Sequence, residues 1–565
     1  MGDAIPPQRF NILDDPWILC VFSDGSIREL SLRDVFREAP HIRSISGDLP
    51  QQSIPLMRLM LALLYCAYSG MEAEPASVPG MRKLWERLWR QGFFDLGILD
   101  GYFDEFHDRF YLLDPERPFY QVSGLAYASD KEYDPVGEMI ADVPKPDKFL
   151  FSMRSSNALD SIDLAQAARW LVFLQAYDIA GIKSPVVGST HVKSGRVYAP
   201  KGLSGTGWLG TLGPVMVEGE SLFRTLLLNW CLYDSNNDDI RLFDNDEDVA
   251  PWELDDPVGP DLTVRASFTG PVDALTFQSR RVRLVPNEDG SRIIGMVNCY
   301  GDVIAAYNTD ACEKMTAWRK SSAQQKKLGL TTLPLMPIAH DASKALWRGL
   351  GPMVAVTDKD LRPGVIRWIE ELQENGCLDS EEHILASFSI HSQGMTYGSN
   401  NSVYETGIDD VLTLPVAFSR KDYPAINVVV DIIDKTSMSV DLVLSNYVRN
   451  LCIAAGDHAA GSRAQAAADH VREDAYARLD ALFRDRLAGF TADKDYESYG
   501  NAWRDDIHRM LVAIGGEYRS DSNAPMFVER DSGRMGLMSV ARATQLFLGG
   551  LNKYLGTIAN DRKGA

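Results

Sequence analysis

The stretch AQAAADHVREDAYARLDALFRDRL, Ala464 to Leu487, decides how the last third of this chain is built. Ala464, Ala468, Val471, Ala475, Leu479, Leu482 and Leu487 recur mostly at spacings of three and four, with charges between them. That period puts the small and apolar side chains on one face of an α-helix. Three further stripes share the pattern. One runs from Ile426 to Ala455, and a second joins Tyr496, Tyr499, Trp503, Ile507, Met510 and Ile514. The third joins Leu537, Val540, Ala541, Leu546, Leu551 and Tyr554. Breakers such as AAGDHAAGS (454–462) and SDSNAP (520–525) separate them. Four amphipathic helices with short connections predict a four-helix bundle over residues 416–565, beginning just after VLTLP.

Residues 1–415 read differently. WILCVF, SDGS and IREL spell strand, turn and strand, followed by a helix from Ser31, where Asp34 stands at capping-box spacing. An apolar helix is expected from about Ser53 to Tyr68, ending at Gly70, and another from near Ser161. Between about 180 and 410, short β-branched runs such as RRVRLV and RIIGMVNCY alternate with glycine-rich connections. The fold class is therefore α+β, a large mixed N-terminal domain ahead of the helical one.

Composition narrows the function. The chain has 565 residues, 45% of them apolar, and a net charge of −21. Seven scattered cysteines argue against a zinc ribbon or a disulfide framework. The N-terminal residues lack a basic and then apolar leader pattern, and Leu59 to Tyr68 is too short to span a bilayer, so a cytoplasmic protein without membrane contact is expected. Net acidity ordinarily opposes nucleic acid, but the charge is uneven. Residues 232–256 hold ten acids against one arginine, whereas Lys183, Lys193, Arg196 and Lys201 stand with no acid among them. Further basic groups are Arg280, Arg281 and Arg283, and Arg319, Lys320, Lys326 and Lys327.

The usual catalytic patterns are missing. No HExxH or HxxxH spacing, phosphate loop or GxSxG elbow occurs, and no cofactor or metal is expected. His340-Asp341 is the one dipeptide that suggests a hydrolase or transferase site, and a capped helix start explains it as well. From Gly181 to Gly219 nine glycines are interleaved with the basic residues; a long irregular loop is the simpler account of them, and a bare backbone with lysines would also suit a phosphate-bearing molecule. GSNNS, 398–402, is an uncharged polar run with the chemistry of a hairpin turn.

FNILDDPWI (10–18), RFYLLDPERPFYQ (109–121), QAYDIAGIKS (175–184), GTGWLGTLG (205–213), TAWRKS (316–321) and YGSNNSVYE (397–405) occur in an order that resembles the large subunit family (CasA) of the type I-E CRISPR Cascade complex. The resemblance implies a non-catalytic antiviral subunit that joins a CRISPR RNA and the other Cascade subunits. Such a subunit inspects double-stranded DNA for a protospacer-adjacent motif, helps open the duplex, and helps recruit a helicase-nuclease. It implies a DNA-inspecting loop with Gly181, Lys183, Gly188, Lys193, Ser194, Gly195, Lys201, Gly202 and Gly205, of which VKSG (192–195) is the nearest match. It implies a wedge at Asn400, Asn401 and Ser402, with Asn401 where glutamine is commoner, and a complex-contacting loop within 126–154 that offers Phe149 or Phe151. A pure protein-interaction scaffold is the remaining alternative.

Overall fold

The computed structural model describes residues 9–69, 77–142, 160–234, 237–241, 245–378, 385–457, 461–491, 495–520, 524–531 and 536–558. They mix helix with many short strands. The chain divides into two compact units, residues 1–343 with 356–411, and residues 344–355 with 412–565.

The first unit is organised on the helix Ser53–Ser69, which is buried all round from Ser53 to Tyr68, as a helix without a polar face must be. Helices Leu96–Glu105, Leu164–Tyr177 and Leu222–Asn229 pack on it. Its one charge, Arg58, is 3% exposed and meets the buried Glu313 with two nitrogens, at 3.0 and 2.9 Å. The Trp208 indole donates to the same carboxylate. Near the start of the chain, strands Ile18–Phe22 and Ile27–Leu30 form the expected hairpin, and Ser31 caps Leu32–Glu38 by accepting from the Asp34 amide.

Two sheets carry the exposed tips of the first unit or brace their roots. Arg280–Pro286 and Arg292–Tyr300 form a long antiparallel hairpin with Arg280 opposite Tyr300. Val215–Glu218, Ser387–Tyr397 and Tyr404–Pro415 form a three-stranded sheet with Ser387–Tyr397 in the middle.

In the second unit, Ala425–Met438 runs through a wide turn, Ser439–Leu444, into Ser445–Ala455. Helices Ser462–Ala488, Tyr496–Ser520 and Val540–Leu555 follow. Within Ser462–Ala488 the buried face is Ala464, Ala468, Val471, Ala475, Leu479, Phe483 and Leu487, so Phe483 takes the place expected for Leu482. The last stripe is displaced further. Val540, Ala543, Phe547, Leu551 and Leu555 are buried, while Leu537 and Leu546 are exposed. Leu537 belongs to a short strand, and the helix starts only after its Ser539 cap, which rotates the face. Residues 344–355 stand with these helices although the sequence places them among the strands. The fully buried Trp347 explains this: its ring stacks on Phe483 at 3.7 Å and its indole donates to Asp480 at 3.0 Å.

Candidate nucleic-acid interface

The glycine-rich segment begins where the helix Leu164–Tyr177 ends. Asp163 caps the start of that helix, and Asp178 leaves its end with extended backbone. Asp178 is 2% exposed. Its carboxylate accepts from Lys183 at 2.7 Å, from Arg280 at 2.5 Å and from Asn298 at 3.2 Å. Burial alone would raise its pKa, but the Lys183 and Arg280 charges outweigh that and hold it far below the carboxylate range. Arg280 is fully buried, and its remaining nitrogens donate to the carbonyls of Asp178, Ile179, Ser279 and Gly205. One guanidinium therefore ties both ends of the segment 178–205 to the helix end.

This arrangement corrects three readings of the sequence. Lys183, expected among the DNA-facing cations, turns inward to Asp178. Arg280 and Arg281, read as a basic cluster, are buried, and Arg281 pairs with Asp302. Gly205 is buried with its carbonyl on Arg280, and a Cβ there would lie 2.8 Å from the Tyr300 hydroxyl. Gly207 and Gly210 likewise serve close packing, because added Cβ atoms would meet the Ala176 backbone and the Tyr397 hydroxyl at 2.4 Å. Gly181 is half-buried and exchanges two hydrogen bonds with the Tyr300 hydroxyl.

The outer part of the loop is different. Val192–Lys193 pairs with Arg196–Val197 through a two-residue turn, Ser194 and Gly195, both with positive φ (52° and 71°). Gly188 and Gly202 also have positive φ and are exposed. Lys193, Arg196 and Lys201 are exposed and carry no carboxylate partner among the described residues.

A second exposed tip lies at 398–403. Gly398 and Val403 close it with a backbone bond of 3.0 Å, and Asn400 and Asn401 follow one another at φ 56° and 53°. Asparagine tolerates this left-handed region better than other non-glycine residues. Both asparagines are exposed, and neither side-chain amide has a partner among the described residues. The Ser402 hydroxyl donates to the Ser399 carbonyl, which makes it a turn-former.

The root of this tip rests on the same helix end as the loop. Tyr397, just before it, donates to the Tyr177 carbonyl at 2.9 Å. Tyr404, just after it, packs against Phe173 and Tyr397, with ring centroids 6.1 and 5.9 Å away. Asp178, Arg280, Tyr397 and Tyr404 are thus the residues that sequence reasoning missed. The two tyrosines flank GSNNSV symmetrically, and that was their available signal.

Farther along the same strand, His391 links all three strands of the sheet, with Nδ1 2.7 Å from Glu218 and Nε2 2.6 Å from Asp409. Burial lowers an imidazole pKa, but hydrogen bonds to Asp409 and Glu218 outweigh it and push His391 up to about 9. A histidine raised in the folded state contributes its full stability below the unfolded value near 6.5 and loses it as pH rises through about 9. Asp409 is 40% exposed, so solvent screens part of the gain. Thermal melts should therefore show the first unit losing about 1–3 kcal/mol between pH 6.5 and 9. The variant His391→Gln should be less stable at pH 6.5 and flatter over that interval.

His340 meets no such pair. Its Nε2 lies 2.9 Å from the Pro214 carbonyl, burial lowers its pKa, and Asp341 accepts from the amide and hydroxyl of Ser343. Among the described residues no group of three His, Cys, Asp or Glu side chains is arranged as metal ligands, and no helix is long and apolar enough to cross a membrane. Phe149 and Phe151 lie outside the described residues.

The family model described as CRISPR-associated protein Cse1 matches residues 11–514. The chain belongs to this family. A Thermus thermophilus relative, the CRISPR-associated protein CasA/Cse1, is 29% identical over 339 residues, a stretch that covers 57% of this chain and 61% of that Cse1 protein. The crystal structure of Thermobifida fusca Cse1 is similar with a TM-score of 0.82 and 30% identity, covering 97% of this chain and 98% of the other. A chain of a solved CRISPR RNA-guided surveillance complex shares the Cse1 fold at TM-score 0.61 and 18% identity, covering 91% and 99% of the two chains.

Proposed function

We propose that this chain is the non-catalytic, DNA-inspecting large subunit of a cytoplasmic type I-E Cascade complex. It recognises a protospacer-adjacent motif in double-stranded DNA, helps part the strands beside it, and helps recruit the helicase-nuclease. Family membership supports its place beside the other Cascade subunits and, through them, the CRISPR RNA. The observation that carries the reading is the common footing of two exposed tips, one basic and one uncharged and polar, on the end of helix Leu164–Tyr177. The hairpin around Ser194 and Gly195, with Lys193, Arg196 and Lys201 and the exposed Gly188 and Gly202, is the groove-facing element. Small residues and backbone suit the minor groove, where A·T and G·C differ chiefly by the guanine amino group. Asn400 and Asn401 form the wedge and Ser402 sets its turn, while Lys183, Gly181 and Gly205 hold the loop from behind. We assign the second unit as the four-helix bundle through which the subunit meets its neighbours.

Neutralising Lys193, Arg196 and Lys201 together in the assembled complex tests the groove-facing assignment. Affinity for duplex DNA should fall for targets with and without the motif alike. The slope of log K against log salt should flatten by roughly one unit per lost phosphate contact. An unchanged slope would overturn the assignment.

A further inference from the structure

We propose that Tyr397 is a positioning residue that fixes the distance between motif reading and strand opening, an inference that rests on the proposed DNA-inspecting function. Tyr397 is the last strand residue before the wedge turn, and its hydroxyl spans two elements of the loop's footing. It donates to the Tyr177 carbonyl, immediately before the Asp178 carboxylate that holds Lys183 and Arg280. It also occupies the space over Gly210, where a Cβ would come within 2.4 Å of it. Tyr404 supports it from the other strand against Phe173. Asn401 therefore stands four residues from a point that cannot shift without the helix end that carries the loop. The hydroxyl is committed to the Tyr177 carbonyl, so its effect on DNA passes through the residues it positions.

A wedge held this way parts the duplex at one fixed base-pair step from the motif. A wedge on a loosened root would act over several steps. The test places 2-aminopurine at successive positions beside the motif and follows opening by the assembled complex. The wild type should brighten first at a single position. Tyr397→Phe, which removes only the hydroxyl and its one hydrogen bond of about 1 kcal/mol, should lower the signal there about fivefold. It should also spread opening to the adjacent steps, while affinity for a short motif-bearing duplex stays unchanged. Gly210→Ala, which displaces the hydroxyl from the opposite side, should reproduce the spread. Opening by Tyr397→Phe at the same single step and amplitude as wild type overturns the inference and leaves the DNA-inspecting function intact. A parallel loss of motif affinity also overturns it, because the tyrosine is then a general packing residue. If the wild type opens no step beside the motif, the DNA-inspecting function falls and this inference with it.

Discussion

Asp178→Ala is expected to cost the first unit about 3–5 kcal/mol, the price of leaving a buried charge uncompensated. Arg280 is fully buried and cannot reach water, whereas Lys183, 14% exposed, can swing outward. The loss therefore comes from the guanidinium. Denaturant titration of the full chain should show the transition of this unit moving to lower concentration. Arg280→Met in the Asp178→Ala background should recover a large part, since it removes the orphaned charge while filling the space. Asp178→Asn should fall between, because it keeps the shape and loses the charge. The pH dependence has a definite sign. A carboxylate whose pKa is depressed in the folded state gives its full contribution above its unfolded pKa of about 4 and loses it as pH falls further. The wild-type chain should therefore weaken below about pH 4, and Asp178→Ala should weaken less steeply.

The second large effect concerns Asn401. Opening the first base pair costs a few kcal/mol, and a wedge helps only by replacing part of what is lost. Asn401→Ala removes the exposed amide and leaves the loop around Lys193 untouched. R-loop formation on fully paired target should drop about tenfold, the equivalent of about 1.4 kcal/mol. On a target already unpaired beside the motif it should change little, since the opening cost is absent. Equal impairment on both targets would make Asn401 a reader or a turn-former. Asn401→Gln lengthens the reach but gives up the asparagine's tolerance of φ 53°, so activity should be kept without a large gain.

The helix Ser462–Ala488 was legible because one face carried the apolar residues, and its stripe was placed to within one residue. The stripe of Val540–Leu555 was misplaced, and the one-faced helices Val78–Gln91 and Gly364–Glu374 were not read at all. Strand-turn-strand chemistry was legible too, at Ile18–Leu30 and in the two asparagines of the turn at 398–403. The root of the site was not. Asp178 and Arg280 are 102 residues apart and cancel one another in the interior, so each alone reads as a surface charge. The glycines misled for a related reason: a missing side chain looks the same in sequence whether the space is left for a ligand or taken by Ala176 or Tyr397. Residues 344–355 were assigned to the wrong unit because Trp347 finds Phe483 far along the chain.

The contrast between those glycines carries a consequence for how such a chain can diverge. A side chain at Gly207 or Gly210 would collide with the protein's own backbone or with Tyr397, whereas one at Gly195 would meet nothing within 4 Å and would cost only the strain of its left-handed backbone, φ 71°. On the proposed function, residues 192–197 would then be an exchangeable reading head on a closely packed mount. If that function holds and invaders escape by altering the short motif beside their targets, the defending lineage could follow by exchanging a few residues of that hairpin, without reopening the packing beneath it.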